Sequence, residues 1–368
     1  MGFSCGIVGL PNVGKSTLFN ALTRSSVPAS NYPFCTIDPN VGMVTVPDPR
    51  LQKLSTLVPT EKVVPTVVQF VDIAGLVKGA SQGEGLGNQF LGHIAEVEAI
   101  AHVVRCFEDP EIIHVSGSVD PARDIGIVTT ELCIRDLGAV TAARSRLEKL
   151  AKSGDKKAQA ALEVLQEVAK PLDQGVPARQ VTQALPAGGQ EIARSLNLLT
   201  AKPVLYVANV GERELVNDHS PALSTLREIA AREKAGLVVI CGAIESQIAA
   251  LETEGERQEY MTAVGLKEPG LHQLVRAGYE ILGLVTFFTV GPKEDRAWTV
   301  RRGATAVEAA GTIHSDIARG FIRAEVIGYN DFVSCASEAA AREQGKLRLE
   351  GKEYIVQDAD LMHFRFSV

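Results

Sequence analysis

Gly9-Leu10-Pro11-Asn12-Val13-Gly14-Lys15-Ser16 is a full G-x-x-x-x-G-K-[ST] pattern, and it sets how the rest of the chain is read. The apolar residues 5–8 before it read as a buried strand, and residues 17–22 after it as the start of a helix. In that setting Gly9 and Gly14 let the backbone turn its N–H groups toward phosphate oxygens. The helix start adds partial positive charge. Asn12, Val13, Gly14, Lys15, Ser16 and Thr17 are therefore expected around a nucleoside triphosphate. Lys15 is expected to act on the β/γ-phosphates and the Ser16 hydroxyl to bind Mg²⁺.

The chain has 368 residues, enough for two or three domains, and 45% of them are hydrophobic. No apolar run reaches the ~20 residues of a membrane span. The first residues lack the basic segment of a signal peptide, and Gly6 stands where myristoylation wants Ser or Thr. The six cysteines are scattered without a C-x-x-C pair, which fits a reduced compartment rather than a disulfide framework or zinc site. A net charge of −7 gives no global attraction to nucleic acid, so such binding has to be local. A cytoplasmic protein with no membrane or DNA partner is expected.

Strands are expected at residues 63–71, 101–107, 204–208 and 237–241, alternating with helices, which predicts a parallel α/β sheet. Between the strands at 101–107 and 204–208, helical spacing over 124–150 and 156–168 flanks a turn at Ser153-Gly154-Asp155. An inserted antiparallel helical hairpin is the economical reading. From about residue 281 the pattern changes to strands at 285–290, 297–300, 325–327, 346–349 and 354–356 around a helix at 306–318. That is a separate α+β unit. The expected division is 1–122 with 197–280 as the nucleotide domain, 123–196 as the arm and 281–368 as the C-terminal domain.

Further sensors surround the phosphate loop. Asp72-Ile73-Ala74-Gly75 closes a strand as D-x-x-G, where Asp72 holds Mg²⁺ through water and the Gly75 N–H senses the γ-phosphate. Thr36, in Asn31-Tyr32-Pro33-Phe34-Cys35-Thr36, supplies a second metal hydroxyl or is a solvated loop residue. Leu76 stands where many P-loop GTPases place a water-orienting glutamine, so hydrolysis uses another group or is slow. After the strand at 204–208, Asn209-Val210-Gly211-Glu212 replaces the guanine-reading N-K-x-D. Guanine offers two donors to a fixed carboxylate, whereas adenine presents an acceptor beside a donor. Glu212 lengthens the reach and Val210 removes the stacking lysine, so base preference is relaxed; Asn209 is free to bond base N7 or N6. Cys241-Gly242-Ala243 supplies a second base-side loop through Ala243.

The phosphate loop, residues 31–42 and 72–91, the Asn209–Glu212 change, the helical insertion and the C-terminal module together resemble the YchF family of Obg-like ATPases, over essentially the whole chain. The resemblance implies a P-loop domain with a helical arm and a C-terminal TGS domain of ubiquitin-like β-grasp fold, whose signature is similar to residues 312–321. It implies ATP over GTP, slow hydrolysis, and a nucleotide-state switch for the ribosome. A nucleotide-gated adaptor and a GTPase translation factor are the alternatives. In the family a histidine matches His114, the candidate for the missing water-orienting group; a purely structural histidine is the other reading. Asn12 resembles a residue that binds K⁺ in potassium-activated relatives, or else shapes the loop.

The partner expected is the ribosome, on its large subunit, or structured RNA, met by a monomer. Residues 141–180 carry eight Lys/Arg against five Asp/Glu, on helices where a solvated face is the plainer reading. The C-terminal module adds Lys293, Arg296, Arg301, Arg302, Arg319 and Arg323 near Phe287, Phe288 and Trp298, which are RNA-stacking aromatics or core.

Overall fold

The structure, a computed structural model, describes residues 3–24, 40–73, 75, 86–217 and 220–367. Its strands are β1 (Ser4–Val8), β2 (Val41–Thr45), β3 (Val63–Val64), β4 (Val67–Asp72), β5 (Ala99–Arg105), β6 (Val204–Asn209) and β7 (Gly236–Ile240). β8 (Leu284–Thr289), β9 (Asp295–Arg301), β10 (Phe321–Gly328), β11 (Arg348–Glu350) and β12 (Asp360–Phe366) follow. Two compact units divide the chain: 1–43 with 69–278, and 44–68 with 279–368.

The first sheet has the order β2-β4-β1-β5-β6-β7, with β4, β1, β5, β6 and β7 parallel. β1, β5 and β6 are buried along their full length, as apolar strands covered on both faces must be. The chain runs from β1 to β2 and β4 on one side and then crosses to β5 on the other. Beyond the carboxyl ends at such a switch point lies the crevice where α/β proteins place ligands.

Two helices, Pro121–Ala151 and Lys156–Asp173, form the hairpin read from the periodicity, each a few residues longer than expected. Asp120 caps the first by accepting from Arg123 N, and Asp155 caps the second by accepting from Lys157 N and Ala158 N. Cys133, Val140, Leu165, Val168 and Leu172 bury their apolar stripe with Ala178 and Leu185. Asp136 is buried and accepts from Leu199 N and Thr200 N at 2.8 Å and from Thr200 Oγ1 at 2.6 Å. Burial raises its pKa while these bonds work against the rise. The carboxylate thereby ties the long helix to the 3-10 turn Leu199–Ala201 that leads into β6.

The second sheet has the order β11-β10-β12-β8-β9-β3. The β8–β9 hairpin is antiparallel, β12 runs parallel to β8, and β10 is antiparallel to β12. With the helix Ala306–Ile313 packed on one face, this is the β-grasp arrangement. Phe287 packs in a cluster with Val300, Ala309 and Phe364, whereas Phe288 packs with Leu51, Leu54 and Leu361. Both rings are fully buried, so both are core. Trp298 is half-buried, donates to Thr289 Oγ1, and carries the Arg296 guanidinium 4.9 Å from its ring centroid.

The structure differs from the sequence expectation in four places. Residues 44–68, assigned above to the nucleotide domain, group with residues 279–368 because Leu51 and Leu54 pack against Phe288 and Ile327. The strand expected over 63–71 breaks at Pro65, which cannot donate to a ladder; β3 joins the second sheet and β4 the first. The helix expected over 306–318 is interrupted at His314, whose extended backbone lets its ring accept from Asp316 N and start Ser315–Arg319. Residues 354–356 form only a bridge from Ile355 to Thr305, and β12 takes the strand position instead. Among the described residues no helix is long and apolar enough to cross a membrane.

Candidate functional site

The loop after β1 turns through Gly9 and through Asn12 and Gly14 at φ of 61° and 95°. A side chain at Gly14 would be strained there and would run into the Asn209 amide; one at Gly9 would meet the Val103 carbonyl at 2.5 Å. The helix Lys15–Arg24 follows directly, so its unpaired N–H groups face the loop. Lys15 is buried and donates from Nζ to Leu10 O at 2.8 Å. Desolvation lowers its pKa, against the pull of Asp72. A Cβ at Gly75 would stand 3.1 Å from Lys15 Nζ, so the D-x-x-G glycine lies beside the lysine.

Ser16 Oγ donates to Asp72 Oδ2 at 3.1 Å. The other oxygen, Asp72 Oδ1, is buried without a hydrogen-bond partner. Burial raises the Asp72 pKa, opposed by Ser16 and Lys15. An orphaned carboxylate oxygen beside a hydroxyl and next to the phosphate loop is a hard-oxygen donor set, and it fits Mg²⁺ held partly through water. Proteins with this loop generally bind nucleotide together with Mg²⁺. Thr36 and Leu76, and the rest of residues 25–39 and 76–85, lie outside the described residues.

A cavity of about 580 Å³ opens over the loop, within the range of small-molecule sites. It brings together Asn12, Gly14, Lys15, Ser16 and Thr17 with Asn209, Val210 and Glu212 and with Ala243. Phe107, Glu108, Asp109 and Ile112 form a third wall. The sequence reading missed that wall: an aromatic residue two positions past a strand is its only local signal. Val13 does not line the cavity; its side chain is buried and its carbonyl serves another purpose.

Asn209 has a structural task that the sequence did not announce. Its Nδ2 donates to Val13 O at 2.9 Å and its Oδ1 accepts from Gly242 N at 3.0 Å, in a buried position. Each end of the amide braces protein backbone with one bond, which leaves the second Nδ2 proton and the second Oδ1 lone pair for the base on the side where Asn209 lines the cavity. It joins the phosphate loop to the start of the helix Gly242–Ala250, which carries Ala243. Val210 is buried beside it, and Glu212 is exposed at the start of the helix Glu212–Asn217. Asn12 Nδ2 donates to Ile113 O at 3.1 Å, a loop-shaping bond that leaves Oδ1 as the only atom for a cation.

His114 does not line the cavity. Its Nδ1 accepts from Ser116 N at 3.0 Å, so Nε2 carries the proton to Asp124 Oδ2 at 2.9 Å. The ring is buried, and neither nitrogen is open toward phosphate in this arrangement. The first turns of Pro121–Ala151 hold the ring through Asp124.

The parallel sheet, phosphate loop and cavity define a P-loop nucleotide-binding protein. A model described as 50S ribosome-binding GTPase matches residues 4–131, and YchF-GTPase_C, described as a protein of unknown function (DUF933), matches residues 284–367. The "Ribosome-binding ATPase YchF" of Haemophilus influenzae is 54% identical over 368 residues, covering 100% of both chains. That of Bacillus subtilis is 53% identical over 369 residues with the same coverage. The solved structure of the Schizosaccharomyces pombe YchF GTPase superposes with a TM-score of 0.88 at 38% identity, covering 99% of this chain and 98% of the other. The chain belongs to the YchF family.

Proposed function

We propose that the chain is a slow, Mg²⁺-dependent ATP hydrolase whose nucleotide state governs its binding to the ribosome. The carrying observation is a phosphate-loop cavity whose base end is built from Asn209-Val210-Gly211-Glu212 instead of N-K-x-D. Relatives of equal length are named ribosome-binding ATPases, and the match to a model described as 50S ribosome-binding supports the large subunit as the docking site. Ser16 and Thr36, with Asp72 through water, would hold the metal, which when bound would neutralise phosphate charge. Lys15 adds its own charge to the β/γ-phosphates, and Gly75 reports the γ-phosphate to the segment that follows it. A ribosomal partner places the protein in the cytoplasm. Asn12 Oδ1 is the one atom offered here to K⁺, and titrations in potassium against sodium check it.

A second reading, a nucleotide-gated adaptor with incidental hydrolysis, is favoured by Leu76, which has no polar atom to orient water. Ribosome-stimulated turnover decides between the two.

Co-sedimentation with ribosomes at low and moderate salt, with ATP or ADP, tests the partner. Binding is expected to differ between nucleotide states and to weaken with salt as phosphate contacts are lost. Equal binding in every state rejects the switch. Truncation after Tyr279 is a poor control, since it removes the residues that cover Leu51 and Leu54.

The base reading has its own test. ATP is expected to bind more tightly than GTP, and Val210→Lys with Glu212→Asp to move the affinity ratio toward guanine by roughly tenfold. The lysine stem lies along the buried Val210 position and its ammonium reaches out to water. A native preference for GTP in a side-by-side titration rejects the assignment.

A further inference from the structure

Arg105 ends β5 behind the third wall of the cavity and is 2% exposed. Its guanidinium donates from Nε to Phe107 O at 3.1 Å, from Nη1 to Ile112 O at 2.8 Å and from Nη2 to Asp109 O at 3.3 Å. The face of the same group lies 4.4 Å from the Phe107 ring centroid. These partners are carbonyl oxygens and an aromatic ring, and burial lowers the Arg105 pKa against the charges of Asp109 and Asp124. A charge kept in such a place without a bonded carboxylate is costly, and the fold spends that cost on shaping one loop.

The loop is the wall itself. Phe107, Asp109 and Ile112 line the cavity, whereas Arg105 does not. A Cβ at Gly211 would meet Phe107 Cβ at 3.8 Å, which sets Phe107 against the base-side loop rather than the phosphate end. The residue after Ile112 carries the carbonyl that accepts from Asn12. One planar fork thus holds three carbonyls and one ring at fixed angles. A lysine ammonium, a point donor, cannot hold that set at once.

We propose that Arg105 is a positioning residue for the base end of the nucleotide site, fixing Phe107–Ile112 as the wall against which the base packs. The inference rests on the nucleotide reading above and goes beyond it in naming what builds the wall. Arg105 touches no phosphate-loop residue directly, and its one link there is the indirect one through Ile113 O and Asn12, so its loss falls mainly on the base and little on the triphosphate.

The test compares Mg²⁺-ATP with Mg²⁺-tripolyphosphate, which has the same phosphate chain and no base, on the native chain, Arg105→Lys and Arg105→Met. Both variants are expected to bind ATP roughly tenfold more weakly and tripolyphosphate within about twofold of the native chain. The retained tripolyphosphate binding shows a folded phosphate loop in the same sample, a separation that general destabilisation does not give. Native-like ATP affinity in Arg105→Lys and Arg105→Met overturns the proposal, as does an equal loss of both ligands. A native chain that binds tripolyphosphate as tightly as ATP overturns the base-site reading beneath it.

Discussion

Lys15→Ala is expected to lose ATP hydrolysis by at least about 10²-fold, because it removes the phosphate-loop cation proposed above to act on the β/γ-phosphates. The position is specific. The ammonium is buried, bonded to Leu10 O, and next to both Gly75 and the Asp72 carboxylate. Within the helix Lys15–Arg24 no other basic residue takes its place, since Arg24 lies in the last turn. Folding is not expected to suffer: burying the ammonium costs desolvation, which the alanine avoids. Thermal unfolding of the ligand-free variant is therefore expected to match the native chain, while calorimetry shows triphosphate affinity lost. Native-rate hydrolysis by Lys15→Ala would mean that the chemistry occurs elsewhere.

The phosphate end was legible in the sequence because its chemistry admits few residues. Only glycine suits the Gly14 backbone against Asn209, and the lysine that the motif assigns to the phosphates stands beside Gly75 and Asp72. The bracing task of Asn209 was not legible, since a base-side asparagine with and without such backbone bonds has the same sequence. Only the register β6–β7, which sets Val210 N against Ile240 O and Gly242 N against Asn209 Oδ1, separates them. The placement of residues 44–68 was hidden for a related reason. Leu51 and Leu54 at helical spacing announce a buried face, but not which core receives it. β12 was missed although Met362 and Phe364 alternate with His363 and Arg365, because the preceding polar residues drew the strand to 354–356.

His114→Ala is expected to lower kcat by roughly 10²-fold with ATP affinity nearly unchanged, the signature of an interaction made only in the transition state. The geometry gives the reason and the condition. Asp124, itself gripped by Arg123 at 3.1 Å, accepts from Nε2–H and fixes the tautomer that leaves a lone pair on Nδ1. That is the arrangement of a base oriented by a carboxylate. The lone pair is occupied by a single backbone donor, Ser116 N, on a loop whose next residue, Gly117, has a φ of 81° and open space around it. Exchanging that one donor for a water frees the nitrogen without unpacking the helix Pro121–Ala151. The phosphate loop is already linked to this loop through Asn12 and Ile113 O, so filling the cavity bears on it directly. Asp124→Asn keeps an acceptor for Nε2 but removes the charge that stabilises a protonated ring, and it falls less far, about tenfold. Single-turnover hydrolysis of the two variants beside their ATP affinities and unfolding temperatures checks both. A His114→Ala chain with native kcat, or one whose loss follows its unfolding temperature, would leave His114 only the structural task of holding residues 114–117 to the helix.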